Sequence, residues 1–237
     1  MFVDTKFRSN ADEIMDDFAL EGEILSDALD KIAGINRILG GNKVTIEGLE
    51  WLLSRQKRGS EISILDVGCG NGDMLRALAG YGKAKGLKFQ LTGMDANAFT
   101  VDYAISLSKD YDNISYVCAD IFDEVKQARH YDVILCTLTL HHFKDDEILK
   151  LVTGFRKQAI MGVVINDLHR SRLAYYLFIA VCKVFRLNKM SKDDGLVSIL
   201  RGFKMDDIMN YADRLNIDKH ILRWRWAFRY QWIIPTI

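Results

Sequence analysis

Between Ile64 and Leu75 the chain reads Ile-Leu-Asp-Val-Gly-Cys-Gly-Asn-Gly-Asp-Met-Leu. Gly68, Gly70 and Gly72 stand at every second position, Cys69 lies between the first two, and Asp66 precedes them by two residues. A glycine turn leading from strand to helix exposes backbone N–H groups at the helix start and lets a ligand approach the main chain closely. A dinucleotide fingerprint spaces its glycines G-x-G-x-x-G. Here the third glycine comes one residue early, and Asp73 fills its slot. Carboxylates at the mouth of such a turn repel a pyrophosphate and suit a ligand with an ammonium group and no phosphate.

S-adenosylmethionine answers that description: it is an amino-acid zwitterion, a sulfonium and an adenosine. Asp95, after the apolar stretch 89–94, stands where α/β nucleotide folds hold ribose hydroxyls. Three histidines are candidates for the chemistry: His141 and His142 in Leu-Thr-Leu-His-His-Phe, and His169 in Asn-Asp-Leu-His-Arg. A histidine near neutral pH can take the proton of a phenol or enol and so make it a better nucleophile toward a methyl group. Arg170 and Arg201 could hold an acidic or phenolate group bidentately, or pair with Asp193, Asp194 or Asp206; pairing is the expectation for Arg201. No metal is expected, since Cys69, Cys118, Cys136 and Cys182 have neither zinc-type nor redox-type spacing.

These residues need a scaffold. The apolar runs 64–67, 89–94, 114–119, 131–137 and 162–166 read as strands. Helical patterns between them, such as 99–108 and the stretch opened by a cap at Asp145 or Asp146, make a doubly wound parallel sheet. In such sheets ligands lie beyond the carboxyl ends of the strands, where the glycine motif, Asp95, Asp120, His141, His142 and His169 all fall. Ahead of the core, 11–20, 25–39 and 45–58 read as helices, with Gly40-Gly41 and Gly59-Ser60 as stops. After it come helices at 171–186 and 204–215. The stretch 219–234 then alternates as a hairpin, with Leu222, Trp224 and Trp226 on its core face. Tyr175, Tyr176 and Phe178 could form an apolar wall for an acceptor. Residues 1–60 are thus a helical extension, serving as lid or packing. Residues 61–237 form the core, with a helical insertion around 171–216.

With 49% apolar and 27% charged residues in 237, the composition is that of an ordinary globular chain, and zero net charge gives no long-range pull toward nucleic acid. The longest apolar run, 173–182, is too short to span a bilayer. Four separated cysteines suggest reduced, buried thiols in a cytoplasmic protein. A homodimer is a further expectation.

The stretch from about 61 to 166 resembles the class I S-adenosylmethionine-dependent methyltransferases. The glycine motif, Asp95, Asp120 and residues 131–143 look like its first four motifs, and Leu-x-Leu-His-His-Phe is similar to the ubiquinone- and menaquinone-type small-molecule methylases. The flanks look like a narrower bacterial group of stand-alone methyltransferases, through Glu13-Ile-Met-Asp16-Asp17, Ile35-Asn36-Arg37-Ile-Leu-Gly-Gly41, the segment 166–175 and the segment 194–203. The resemblance implies an α/β, Rossmann-like sheet of seven mostly parallel strands with an antiparallel last strand. It implies cofactor contacts at Asp66, Gly68, Cys69, Gly70, Gly72, Asp95, Ala96, Asp120, Ile121 and Thr137, with Asp120 accepting from the adenine amino group. The activity it implies is methyl transfer to oxygen or carbon of a small, apolar or aromatic metabolite. The competing functions are a tRNA or protein methylase, a cofactor-binding protein without transfer, and a nicotinamide-dependent oxidoreductase, which Asp66 and Asp73 disfavour.

Overall fold

Strand-type runs that are apolar on both faces must be covered on both faces, and the helices between them supply the cover. In the structure, a computed structural model that describes residues 3–55 and 61–236, this produces one mixed sheet between two helical layers. The elements are α1 (Glu23–Ile38), α2 (Gly41–Leu53), β1 (Ile62–Val67), α3 (Asp73–Lys85), β2 (Phe89–Asp95), α4 (Ala98–Leu107), β3 (Ile114–Cys118) and α5 (Ile121–Glu124). They continue with β4 (Tyr131–Thr137), α6 (Asp145–Gln158), β5 (Ala159–Leu168), α7 (Arg172–Val184), α8 (Lys189–Arg201), α9 (Met205–Arg214), β6 (Ile221–Arg225) and β7 (Arg229–Pro235).

The seven strands are ordered β3-β2-β1-β4-β5-β7-β6. Strands β1 to β5 are parallel, and β7 runs antiparallel between β5 and β6. The expected seven-stranded, mostly parallel, doubly wound sheet is therefore what the chain forms. Alternate residues of each strand feed opposite layers. On one side Leu65, Ile134 and Val163 pack with Ile148 and Phe155 of α6 and Ile208 of α9. On the other, Ile64, Leu135 and Val164 pack with Leu49 and Leu52 of α2 and with Leu75 and Leu78 of α3. The strand order reverses between β1 and β4, which opens a cleft at their carboxyl ends.

Several local expectations are corrected. Residues 11–20 form no helix beyond a single 3-10 turn at Ile14–Asp16. Ile14 and Phe18 stay exposed, so no apolar stripe finds a core; instead the N–H groups of Ile14 and Met15 donate to Asp194 at 2.8 and 3.0 Å. The stop at Gly40-Gly41 does end α1, at Ile38, but α2 opens at once behind it. Gly40 is left-handed (φ +78°) and Gly41 already begins α2, because a Cβ there would overlap Asn36 Oδ1. The stop expected at Gly59-Ser60 lies outside the described residues. Asp145 and Asp146 do not cap α6: Asp145 is taken by Arg8 and Tyr211, while Glu147 reaches back to the Lys144 N–H at 2.8 Å. Strand β5 runs on to Leu168 because β7 pairs with it over that length. Helix α8 had no apolar stripe to announce it; Asn188 caps it, accepting from the Ser191 N–H at 2.8 Å. On the edge strand β6 the core face ends early. Trp224 is 45% exposed, and Trp226, just beyond the strand, is 64% exposed. Cys69, Cys136 and Cys182 are buried and unpaired, but the unpaired Cys118 is exposed on β3, a sheet edge.

Candidate active site

The cleft holds a cavity of about 1600 Å³. Its β1–β3 side is built largely from backbone. After Val67 the chain turns through Gly68 (φ +66°) and Gly70 (φ +52°), and Gly72 (φ +78°) caps α3. A Cβ on Gly68 would strike the Thr139 side chain at 2.4 Å, whereas one on Gly70 would enter open cavity, with only Leu29 Cδ2 at 3.6 Å. The Asp95 carboxylate holds this loop in place: Oδ2 accepts from the Gly70 N–H and Oδ1 from the Asn97 N–H, both at 3.1 Å.

Two carboxylates here lack strong compensation. Asp66 is 2% exposed, and burial together with nearby Asp95 pushes its pKa up to about 8. Burial also raises Asp95, although its backbone N–H donors pull the other way. A pyrophosphate would meet both acids; a cationic group would relieve both. An open cradle beside under-compensated acids fits an ammonium-bearing nucleoside. Asp66, Gly68, Cys69, Gly70, Asp95, Ala96, Asp120, Ile121 and Thr137 all line the cavity. Gly72 does not; the Tyr116 hydroxyl lies 2.1 Å from where its Cβ would be. One oxygen of Asp120 is engaged in capping α5, at 2.7 Å from the Phe122 N–H.

The other side of the cavity is assembled from side chains. His141 is 2% exposed; Asp167 accepts from its backbone N–H at 3.1 Å and meets its Nδ1 at 2.6 Å. Burial alone would raise Asp167, but adjacent His141 holds it below the ordinary carboxylate range. The ionised Asp167 favours a proton on the facing Nδ1. The His142 ring lies 4.3 Å away, with its Nδ1 2.6 Å from Asp16. Asp16 too is lowered: hydrogen bonds from His142 and Arg201 overcome its desolvation. Arg201 reaches Asp16 at 2.6 Å and Glu13 at 3.6 Å, and donates to the carbonyls of His141 and His142. Pairing is thus its structural role, with acids of the N-terminal segment rather than Asp193, Asp194 or Asp206. Arg170 is likewise structural: it binds Asp207 at 2.9 Å and the carbonyls of Thr5 and Gly202.

Ligand atoms of Glu13, His141 and His142 lie within 4.8 Å of one another, as a metal site would need. The Arg201 guanidinium beside Glu13 opposes a cation there and favours a proton-handling cluster. His169 stands apart, accepting from Trp224 Nε1 at 3.1 Å; burial, Lys204 and Arg170 lower its pKa. Of the expected acceptor wall, Phe178 lines the cavity together with Leu177 and Val181 of α7. Tyr175 and Tyr176 do not, and the Tyr176 hydroxyl instead accepts from the Val3 N–H at 3.3 Å. Glu13, Asp16, Arg8 and Arg229 are the site residues that local sequence patterns missed. Glu13 and Asp16 were marked only by the flanking resemblance, and nothing local singled out Arg229.

Residues 64–158 match the family described as "Methyltransferase domain". Over 138 residues the chain is 30% identical to the ubiquinone biosynthesis O-methyltransferase of Rickettsia canadensis, covering 57% of this chain and 55% of that protein. The chain spans about half the length of the curated relatives it matches. Among solved structures, the plantazolicin methyltransferase BamL, in complex with a triazolic desmethylPZN analogue and S-adenosylhomocysteine, superposes with a TM-score of 0.68 at 15% identity, covering 88% of this chain and 90% of that one. The magnesium protoporphyrin IX methyltransferase of Synechocystis PCC 6803 gives 0.53 at 15% identity, over 85% and 83%. Residues 64–158 thus match a methyltransferase domain, and the sheet that carries them has the fold of the solved methyltransferases it superposes on.

Proposed function

We propose that this chain methylates an oxygen or carbon of a small, apolar or aromatic acceptor, with His142 as the base. When bound, S-adenosylmethionine supplies an electrophilic methyl group whose thioether leaves in an in-line displacement. The observation that carries the reading is a single cavity lined both by the glycine cradle with its two acids and by a histidine backed by an ionised carboxylate. Asp66 takes the ammonium group, Asp95 the ribose hydroxyls and Asp120 the adenine amino group. Gly68, Cys69, Gly70, Ala96, Ile121 and Thr137 shape the walls, and Gly72 fixes the start of α3.

His142 is the more accessible of the paired histidines, its side chain being 27% exposed. Asp16 accepts its Nδ1 proton, so Nε2 is the basic nitrogen offered to an acceptor hydroxyl or enol. His141, locked by Asp167, positions its neighbour, and His169 shapes the cavity on the Trp224 side. Phe178, Leu177 and Val181 favour an apolar acceptor. The N-terminal segment, tied down through Arg8, Glu13 and Asp16, excludes water from the base. The free thiols, Cys118 included, suit a reducing cytoplasm. Among the described residues no helix is long and apolar enough to cross a membrane. A homodimer through exposed Leu173, Tyr176 and Val184 of α7 is tested by sedimentation.

Thermal unfolding with S-adenosylmethionine, S-adenosylhomocysteine or NADH tests the cofactor. Ligand at a hundred times its dissociation constant adds about 2.7 kcal/mol, roughly 5–10 °C here. A shift with NADH alone would overturn the reading. Transfer of labelled methyl to metabolite extract, and not to RNA or protein, tests the acceptor class; absence of transfer to all three would leave a cofactor-binding protein.

A further inference from the structure

Arg229 opens β7, opposite Leu168 of β5, and is 3% exposed. Its Nε and Nη1 are buried without a hydrogen-bond partner. The guanidinium carbon lies 3.1 Å from where a Cβ on Gly41 would be, so it sits against the first residue of α2, a helix of 13 residues without a side-chain cap at its N-terminus. Asn36 lies against the same point, with an unpartnered, buried Oδ1; its Nδ2 donates to Asn42, which in turn holds Asp73 at the start of α3. Arg229, Asn36, Asn42 and Leu39 all line the cavity. Asp167 is the charged group that acts on Arg229, but it is already spent on His141. Burial lowers the Arg229 pKa to about 10, so it stays charged at neutral pH. A buried guanidinium with idle donors is costly to hold. Beside an uncapped helix N-terminus, whose partial positive charge adds to its own, it is suited to receive an anion.

We propose that Arg229 and the N-terminus of α2 form a carboxylate-binding site inside the cavity, its planar fork taking both oxygens of the group. Two sources offer that chemistry: the amino-acid tail of the cofactor, and an acidic acceptor seated beside the histidines. The proposal deepens the methyltransferase reading and rests on it, but its test separates the two. Arg229→Met and Arg229→Lys are compared with the parent protein by calorimetry. The probes are S-adenosylhomocysteine, 5′-methylthioadenosine, which lacks the carboxylate, and 1-naphthoate against neutral 1-naphthylmethanol.

In Arg229→Met the carboxylate probe should lose at least tenfold in affinity while its uncharged counterpart holds, and Arg229→Lys should recover only part of the loss, because a point charge cannot replace the fork. Loss confined to S-adenosylhomocysteine assigns the site to the cofactor tail; loss confined to 1-naphthoate assigns it to the acceptor. Equal effects on charged and uncharged probes, or none, overturn the proposal. So does a fall of several degrees in the Tm of Arg229→Met, since removing an unpaired buried charge should leave stability level or raise it. If the parent protein binds neither adenosyl probe, the cofactor reading fails, and the naphthoate pair still decides the role of Arg229.

Discussion

The two sides of the cavity are built by different means. On the β1–β3 side, the residues lining it come from strand ends between Asp66 and Ile121, and turns set the geometry. On the histidine side, Glu13, Asp16, His141, His142, Asp167 and Arg201 come from four distant parts of the chain, and ion pairs and hydrogen bonds set it. Backbone geometry is fixed by a few contiguous residues. A side-chain cluster exists only where the whole fold delivers it. Substitutions on the first side should therefore act on cofactor affinity, and those on the second on turnover.

The largest effect is expected from Gly70→Val. Its branched Cβ fills the space where the ligand approaches the main chain, at a left-handed φ costing a further 1–2 kcal/mol or so. Calorimetry should show S-adenosylhomocysteine affinity down by roughly a hundredfold or more while the chain stays folded; ordinary affinity would show the cradle is misplaced. His142→Ala should lower kcat by about 10²–10⁴ with cofactor affinity unchanged, the range for a general base. A matching loss of cofactor affinity would erase the division between the two sides.

Asp66 sharpens the comparison through pH. Its folded pKa of about 8 lies above the unfolded value of 3.8, so the folded state holds the extra proton in between, and this group costs stability as pH rises from about 4 to 8. Asp66→Asn should raise Tm at neutral pH by several degrees and weaken cofactor binding at least tenfold. In the parent protein, affinity for S-adenosylhomocysteine should increase as pH rises from 6 to 8.5, because the ammonium group needs the ionised acid. A flat profile would remove that partner. The smallest effect is expected from Phe178→Ala, a several-fold rise in the acceptor's KM with kcat nearly unchanged.

Legibility followed the same division. The strands, their order of appearance and most of the cradle were readable because short-range patterns of burial and glycine spacing encode them. The spacing of Gly72 belongs to the motif, but the sequence could not show that it caps α3 and that a Cβ there would meet the Tyr116 hydroxyl. The histidines were readable as residues at strand ends, but the acids behind them were not. Residues 11–20 were expected to form a helix; they make only a 3-10 turn, whose N–H groups are taken by Asp194, some 180 residues away. Trp224 and Trp226 were assigned inward because alternation gives a period, not a boundary, and on edge strand β6 the cover ends before the pattern does. Arg229 is one basic residue in a basic, aromatic stretch, and only its burial distinguishes it.

The tie between Asp16 and Arg201 closes a loop of 185 residues. Closure entropy grows only slowly with loop length, by about 0.6 kcal/mol per doubling, so the tie is affordable, but long-range contacts form late. Residues 13–16, made well before α8, are thus among the last to find their place. A chain carrying residues 61–137 already holds every part of the cradle, yet the carboxylate behind His142 arrives only after α8 has been made and has folded. The same asymmetry applies to damage. Loss of residues 1–16 should spare the cradle and take from His142 the acid that orients it, leaving a protein that holds its cofactor and turns over slowly.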